Sequence, residues 1–165
     1  MLSEARIKLA GLVPCDLPLG RTGHVRRIFV TQEINDVISG RSISIPVFPS
    51  DHADLLLGTF VDGLIVGASS SHKGRGELKW LQNIDETWVF AFRQPSPGWR
   101  LFGRFAQKNV FVGLLLVPRE DAGNLAEYAE KARDMHKLWD QLFPGEQPFL
   151  GSRIEDYVGD MWVER

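Results

Sequence analysis

The sequence predicts an α+β fold: an antiparallel β-meander covered by a long C-terminal amphipathic helix, with a further helix and strands toward the N-terminus. Three observations carry this reading. Residues 86–117 hold three successive strand-like apolar runs. The links between them, QPSPG and AQKN, are short enough for hairpins. Residues 124–143 carry an apolar stripe at helical spacing.

Taken in order, residues 3–12 suit a short helix, closed by the breakers Pro14, Pro18, Gly20 and Gly23. The run RRIFVT (26–31) alternates Ile28 and Val30 onto one face, as a short strand does. Residues 42–47 repeat the alternation with Ile43, Ile45 and Val47. Pro46 would confine that segment to a sheet edge. Pro49-Ser50-Asp51 marks a helix start, with Ser50 as cap and Leu56, Phe60 and Leu64 as an apolar row. Glycines at 58, 63 and 67 weaken that helix. Residues 67–76, GASSSHKGRG, read as an exposed basic loop, and a short strand spans 78–81.

In the meander, Trp88, Phe90 and Phe92 share one face of residues 86–93. Trp99, Leu101 and Phe105 share one face of residues 99–105, with Arg100 and Arg104 on the other. Residues 110–117, VFVGLLLV, are apolar on both faces, which marks a central strand covered on both sides. The final helix starts at a capping box, Asn124 with Glu127. Its stripe runs through Leu125, Ala129, Ala132, His136, Trp139 and Phe143, and Pro144-Gly145 stops it. Phe149, Tyr157 and Trp162 suggest that the tail docks on the domain. No repeat or linker divides the chain, so residues 1–165 are read as one domain.

Composition narrows the function classes. Hydrophobic residues at 44% and charged residues at 24% fit a folded globular chain. A net charge of −2 excludes a global basic field, so any nucleic-acid contact must come from a local patch. The single cysteine, Cys15, allows no intrachain disulfide and reads as an inert loop thiol. No signal-like segment or membrane-length apolar run is present, and the expected location is cytoplasmic, with no membrane partner.

The residues suited to chemistry are basic and belong to the meander. Arg93 ends one strand, Arg100 and Arg104 share a face of the next, and Arg119 closes the apolar strand. His72, Lys73, Arg75 and Lys79 precede the meander, and Lys108 sits in a turn. Neighbouring antiparallel strands would bring Arg93, Arg100 and Arg104 onto one surface. Guanidinium groups on a rigid sheet suit phosphate, because the planar fork donates paired hydrogen bonds and keeps its charge. The alternative is a solvated polar face in which nearby acids pair with these residues. His72 is a candidate base if its loop folds over the sheet, whereas His136 belongs to the buried stripe. His24 and His52 have no ligand-like spacing, so no metal site is expected.

The order of helix, loop, three strands and final helix resembles the RelE/ParE/HigB superfamily of bacterial toxins. The local match is AFRQPSPGWRLFGRF followed by VFVGLLLVPRED, within residues 78–143. The resemblance implies a ribosome-dependent mRNA endonuclease that needs no metal or organic cofactor. Arg93, Arg100 and Arg119 would then be its catalytic residues, and His72, Lys73, Arg75, Arg104 and Lys108 would bind substrate. Its partners would be RNA on the ribosome and a cognate antitoxin, and the chain could form a homodimer. The chain departs from the pattern in its slightly acidic charge and in Glu120 and Asp121 after Arg119. The second reading is a non-catalytic protein- or ligand-binding module, or an accessory interaction protein of a mobile element or operon.

Overall fold

Strict face separation along the central strands organises the molecule. The structure is a computed structural model and describes residues 2–17, 25–44 and 46–165. In chain order the elements are α1 (Glu4–Leu9), β1 (Val13–Pro14), β2 (Arg27–Val30), α2 (Gln32–Ile38), α3 (Ser50–Val61), β3 (Val66–Ser69) and β4 (Leu78–Leu81). They continue with β5 (Thr87–Phe92), β6 (Trp99–Gln107), β7 (Val110–Pro118), a 3-10 turn (Arg119–Ala122), α4 (Leu125–Leu142), α5 (Ile154–Val158) and β8 (Trp162–Glu164). The strands form one sheet in the order β1-β2-β7-β6-β5-β4-β3-β8.

The meander β4–β7 is antiparallel, as its hairpin links predict. The sheet as a whole is mixed, and this corrects the purely antiparallel expectation. β2 pairs in parallel with β7, and β3 pairs in parallel with both β4 and β8. Parallel neighbours need a connection that crosses the sheet, and the helices between β2 and β7 supply part of it.

Trp88, Phe90, Phe92, Trp99, Leu101, Phe105 and Phe111 point to one face and pack with α2, α3 and α5. Val89, Phe102, Ala106, Val112 and Leu114 point to the other and pack with α1 and α4. β7 is therefore covered on both sides, as its unbroken apolar run requires. On α4 the buried residues are Tyr128, Ala132, Met135 and Trp139, and Phe143 is buried at its C-cap. Leu125, expected in the stripe, is instead exposed. The buried row is one step out of phase at its start because Tyr128 faces the sheet.

Other expectations change too. The described residues of 42–47 form no strand: Ile43 and Val47 are exposed and no sheet edge lies alongside them. Ile45 lies outside the described residues, as do Pro18, Gly20, Gly23 and His24. In α3 the buried row is Ala53, Leu57, Phe60 and Val61. Leu64 lies beyond the helix and is exposed, and Ser50 makes no cap bond to the helix start. The segment 67–76 is only partly a loop, because Gly67, Ala68 and Ser69 are buried in β3. The tail docks as expected: Tyr157 and Phe149 pack against each other at 5.2 Å, and Tyr157 donates to Glu86. No described helix is long and apolar enough to cross a membrane.

Arg26, just before β2, ties the layers together. Its buried guanidinium donates to the carbonyls of Phe60 and Leu64 at the end of α3, and to those of Val158 and Met161 around α5. Phe60 lies under the guanidinium at 5.1 Å. Every contact is to main chain or ring, so no carboxylate neutralises it among the described residues. Replacing Arg26 by Met leaves buried carbonyls unpaired. The expected loss is about 3–5 kcal/mol in urea unfolding, with little recovery in Arg26→Lys, whose ammonium cannot span four acceptors. A change under about 1 kcal/mol would contradict this role.

Candidate functional site

Alternation places the basic side chains of the meander opposite the aromatic ones. Lys79 lies between Leu78 and Trp80 on β4, and Arg100 between Trp99 and Leu101 on β6, so both emerge on the face that α4 covers. Arg100 stands across from Ala91 on β5 and from Val117 on β7. Arg93 follows the end of β5, and Arg119 opens the 3-10 turn after β7.

These residues line one groove of about 640 Å³. Its walls include His72, Lys73, Arg75, Lys79, Arg93, Arg100 and Arg119, closed by Tyr128 from α4. Arg93 Nη2 donates to the carbonyls of Gly74 and Gly76, at 3.3 and 2.9 Å, which holds the 70–76 segment over the groove. Arg100 donates from Nε to the Tyr128 hydroxyl at 3.0 Å and from Nη1 to the Trp99 carbonyl at 2.8 Å. Lys79 Nζ donates to the His72 carbonyl and lies 5.7 Å from the centre of the Tyr128 ring. The His72 and Tyr128 rings sit 5.7 Å apart.

Arg119 is anchored by its backbone, which donates to the Gly98 carbonyl at 2.9 Å. Gly98 has φ +84, and a side chain there would run into the Phe92 carbonyl, so this turn demands glycine. Among the described residues, the Arg119 guanidinium has no acceptor, and no carboxylate makes an ion pair with Lys79, Arg93, Arg100 or Arg119. Nearby acids therefore form no ion pair with Arg93, Arg100 or Arg119 among the described residues, although Glu77 acts on Arg93 through space and Asp140, Asp85 and Glu86 act on Arg104. Glu127, in the first turn of α4, is committed to the cap: it accepts from the Gly123 amide and from the Asn124 side chain.

Burial, and after it the crowding of like charge, shifts the titration of these groups. Burial, then Arg100, Arg93 and Arg119, lower Lys79 from its ordinary 10.5 to about 8. Burial, then Arg100, lower Arg93, and Glu77 offsets this in part. Burial, then Lys73 and Lys79, lower His72, which favours its neutral form. An anion entering the groove would relieve this repulsion.

Two expected members lie elsewhere. Arg104 shares the face but sits further along β6. It donates to the Asp85 carbonyl at 2.9 Å and lies over Trp139, where burial lowers its pKa. Lys108 is exposed in the β6–β7 turn. His136 bonds Thr87 Oγ1 at 2.7 Å, and burial holds its pKa down to about 4, as suits a neutral structural histidine. Cys15 is a protonated thiol, pushed up to about 12 by burial. Among the described residues, no His, Cys, Asp and Glu side chains gather as a metal site.

The sequence alone did not place Lys79 and Tyr128 in one groove with the arginines. Both had a signal. In LKWL the lysine alone breaks an apolar strand, and Tyr128, Ala132, Met135, Trp139 and Phe143 form an equally regular helical row.

Lys79 gives the groove a pH signature. Below about pH 8 it is charged and adds to anion attraction; above that it is neutral. Sulfate does not titrate in this range. Its affinity, measured by calorimetry, should therefore fall as pH rises through about 8 in wild type and stay flat in Lys79→Met. A pH-independent affinity in the wild type would contradict the assignment.

Comparison with family models finds no match, and comparisons with curated proteins and with solved structures find none either.

Proposed function

We propose that this protein binds RNA through its phosphates in the groove between the meander and α4, as a toxin-like RNA-interacting domain. The supporting observation is the convergence of Lys79, Arg93, Arg100 and Arg119 in one recess without a carboxylate partner among the described residues. Unpaired guanidinium groups on a rigid sheet favour phosphate oxygens, and a net charge of −2 confines the attraction to this place. A recess of this volume suits one or two nucleotides of a single strand rather than a duplex. The half-buried His72 ring at its wall offers a face for a base to stack on. The resemblance of residues 78–143 to RelE/ParE/HigB toxins points the same way, and an antitoxin acting on such a domain would be expected to cover the groove.

The presence of ionisable groups beside the arginines favours a second, catalytic reading on the same site. In metal-independent cleavage the ribose 2′-oxygen attacks the adjacent phosphorus while a base takes its proton. Guanidinium groups stabilise the added negative charge, and an acid protonates the departing 5′-oxygen. Neutral His72 suits the base, Arg93, Arg100 and Arg119 suit the charge, and protonated Lys79 suits the acid.

Fluorescence anisotropy with a short single-stranded RNA tests the binding. Two phosphates held in the groove give a slope of log K against log salt of about −1.4, and Arg119→Ala should flatten it toward about −0.7 and weaken binding about tenfold. Unchanged affinity in both Arg119→Ala and Arg100→Ala would reject the groove. Equal affinity for DNA of the same sequence would reject RNA as the specific partner. Gel analysis of the same RNA separates the two readings: intact strands leave binding alone, and cuts that vanish in Arg100→Ala with Arg119→Ala support catalysis. Growth arrest on induction, relieved by the same pair of substitutions, would support the toxin-like role in cells.

A further inference from the structure

We propose that Lys79 is a covalent-capture site, whose amine condenses with the carbonyl of a small phosphorylated aldehyde or ketone while Arg93, Arg100 and Arg119 hold the phosphate. This rests on the groove being an anion site and not on RNA being the anion.

Geometry carries the inference. Lys79 is only 4% exposed, yet its side chain lines an open groove, so the amine is sheltered from bulk water without being sealed off. Lysines are ordinarily exposed or paired with an acid when buried. Here the head group meets one carbonyl, from His72, and the face of Tyr128, with three guanidinium groups sharing the recess. A second positive charge in such surroundings is costly, and the neutral amine is the form that attacks carbonyl carbon. The lowered titration of Lys79 agrees with this placement. The same guanidinium groups that disfavour the ammonium attract a phosphate, so one recess selects the anionic tail and presents the nucleophile.

The step balances without a further reagent. The Lys79 nitrogen forms a bond to the carbonyl carbon, and the C=O π pair moves to oxygen. A proton passes from nitrogen to oxygen to give a carbinolamine. The C–O bond then breaks, water leaves with a second proton from nitrogen, and a C=N imine remains. The His72 imidazole lines the same groove and supplies a nitrogen through which these protons can be relayed.

Pyridoxal 5′-phosphate serves as the probe, because it carries both an aldehyde and a phosphate. The full chain is incubated with it near pH 8, the imine is reduced with sodium borohydride, and peptide mass spectrometry locates the label among the six lysines: 8, 73, 79, 108, 131 and 137. Lys79 should carry about tenfold more label than any other lysine, and pyridoxal without the phosphate should label it about tenfold less. Sulfate should protect Lys79, and Arg119→Ala should lower its labelling. Lys79→Met, checked by circular dichroism for an intact fold, should remove the dominant adduct. Label spread over the exposed lysines, or equal labelling by pyridoxal, would overturn the proposal. Loss of RNA binding with retained labelling would count against RNA alone, whereas RNA binding without labelling would count against the capture alone.

Discussion

The register between β5 and β6 is the constraint on which everything else depends. Phe92 stands across from Trp99, Ala91 from Arg100 and Phe90 from Leu101. This sends the rings to the face packed by α3 and sends Arg100 to the face packed by α4. Because side chains alternate with a period of two, a slip of one residue would exchange the faces. Arg100 would then enter the cluster where Phe48 meets Phe92 and Trp99 edge-on at 5.4 and 5.5 Å. Burying an unpaired guanidinium among rings costs far more than the pairing is worth, so the register is fixed by the penalty of the alternatives as much as by its own contacts. The core and the groove are two consequences of one alternation.

The arginines of this fold differ in how far their forks are occupied. Arg26 directs its bonds to four main-chain carbonyls and lies over Phe60, and it serves as a structural tie. Arg100 and Arg93 are each partly occupied, by Tyr128 and Trp99 and by the 74–76 backbone, which fixes their direction. The Arg119 guanidinium has no acceptor among the described residues. Partial occupancy is what a pre-organised anion site requires: enough bonds to hold the planar groups in place, and enough free N–H groups to receive a ligand. The α4 cap matters for the same reason. The Asn124 side chain accepts from the Glu127 amide and donates to the Glu127 carboxylate, which also accepts from the Gly123 amide, and this keeps that carboxylate engaged beside a cluster of cations.

Local periodicity made the meander, its hairpins and α4 legible in the sequence, because their apolar positions follow one period over many residues. Strand parity and hairpin order placed Arg93, Arg100 and Arg104 on one surface, of which Arg93 and Arg100 reach the groove; Arg119 was grouped with them only through the toxin resemblance. The parallel pairing of β2 with β7, and of β3 with β4 and β8, was not legible, since it joins segments far apart and depends on how the helices cross the sheet. β3 was hidden by its composition: Gly67, Ala68 and Ser69 look like loop residues, but small side chains suit a strand held closely against β4. The divergence of Arg104 from the groove was also invisible, because it reflects distance along β6 and the presence of Trp139. The place of Lys79 in the groove was not legible either, because it depends on α4 covering its face of the sheet.

Mapping a ligand directly onto the backbone tests the central claim most sharply. In an amide-resolved NMR titration with a short single-stranded RNA, the largest shifts should fall in 72–76, at Lys79, Arg93 and Arg100, and across 119–128. Lys8, Lys108, Lys131 and Lys137 should stay near their free positions. Shifts centred on those outlying lysines, with the groove unmoved, would contradict the account.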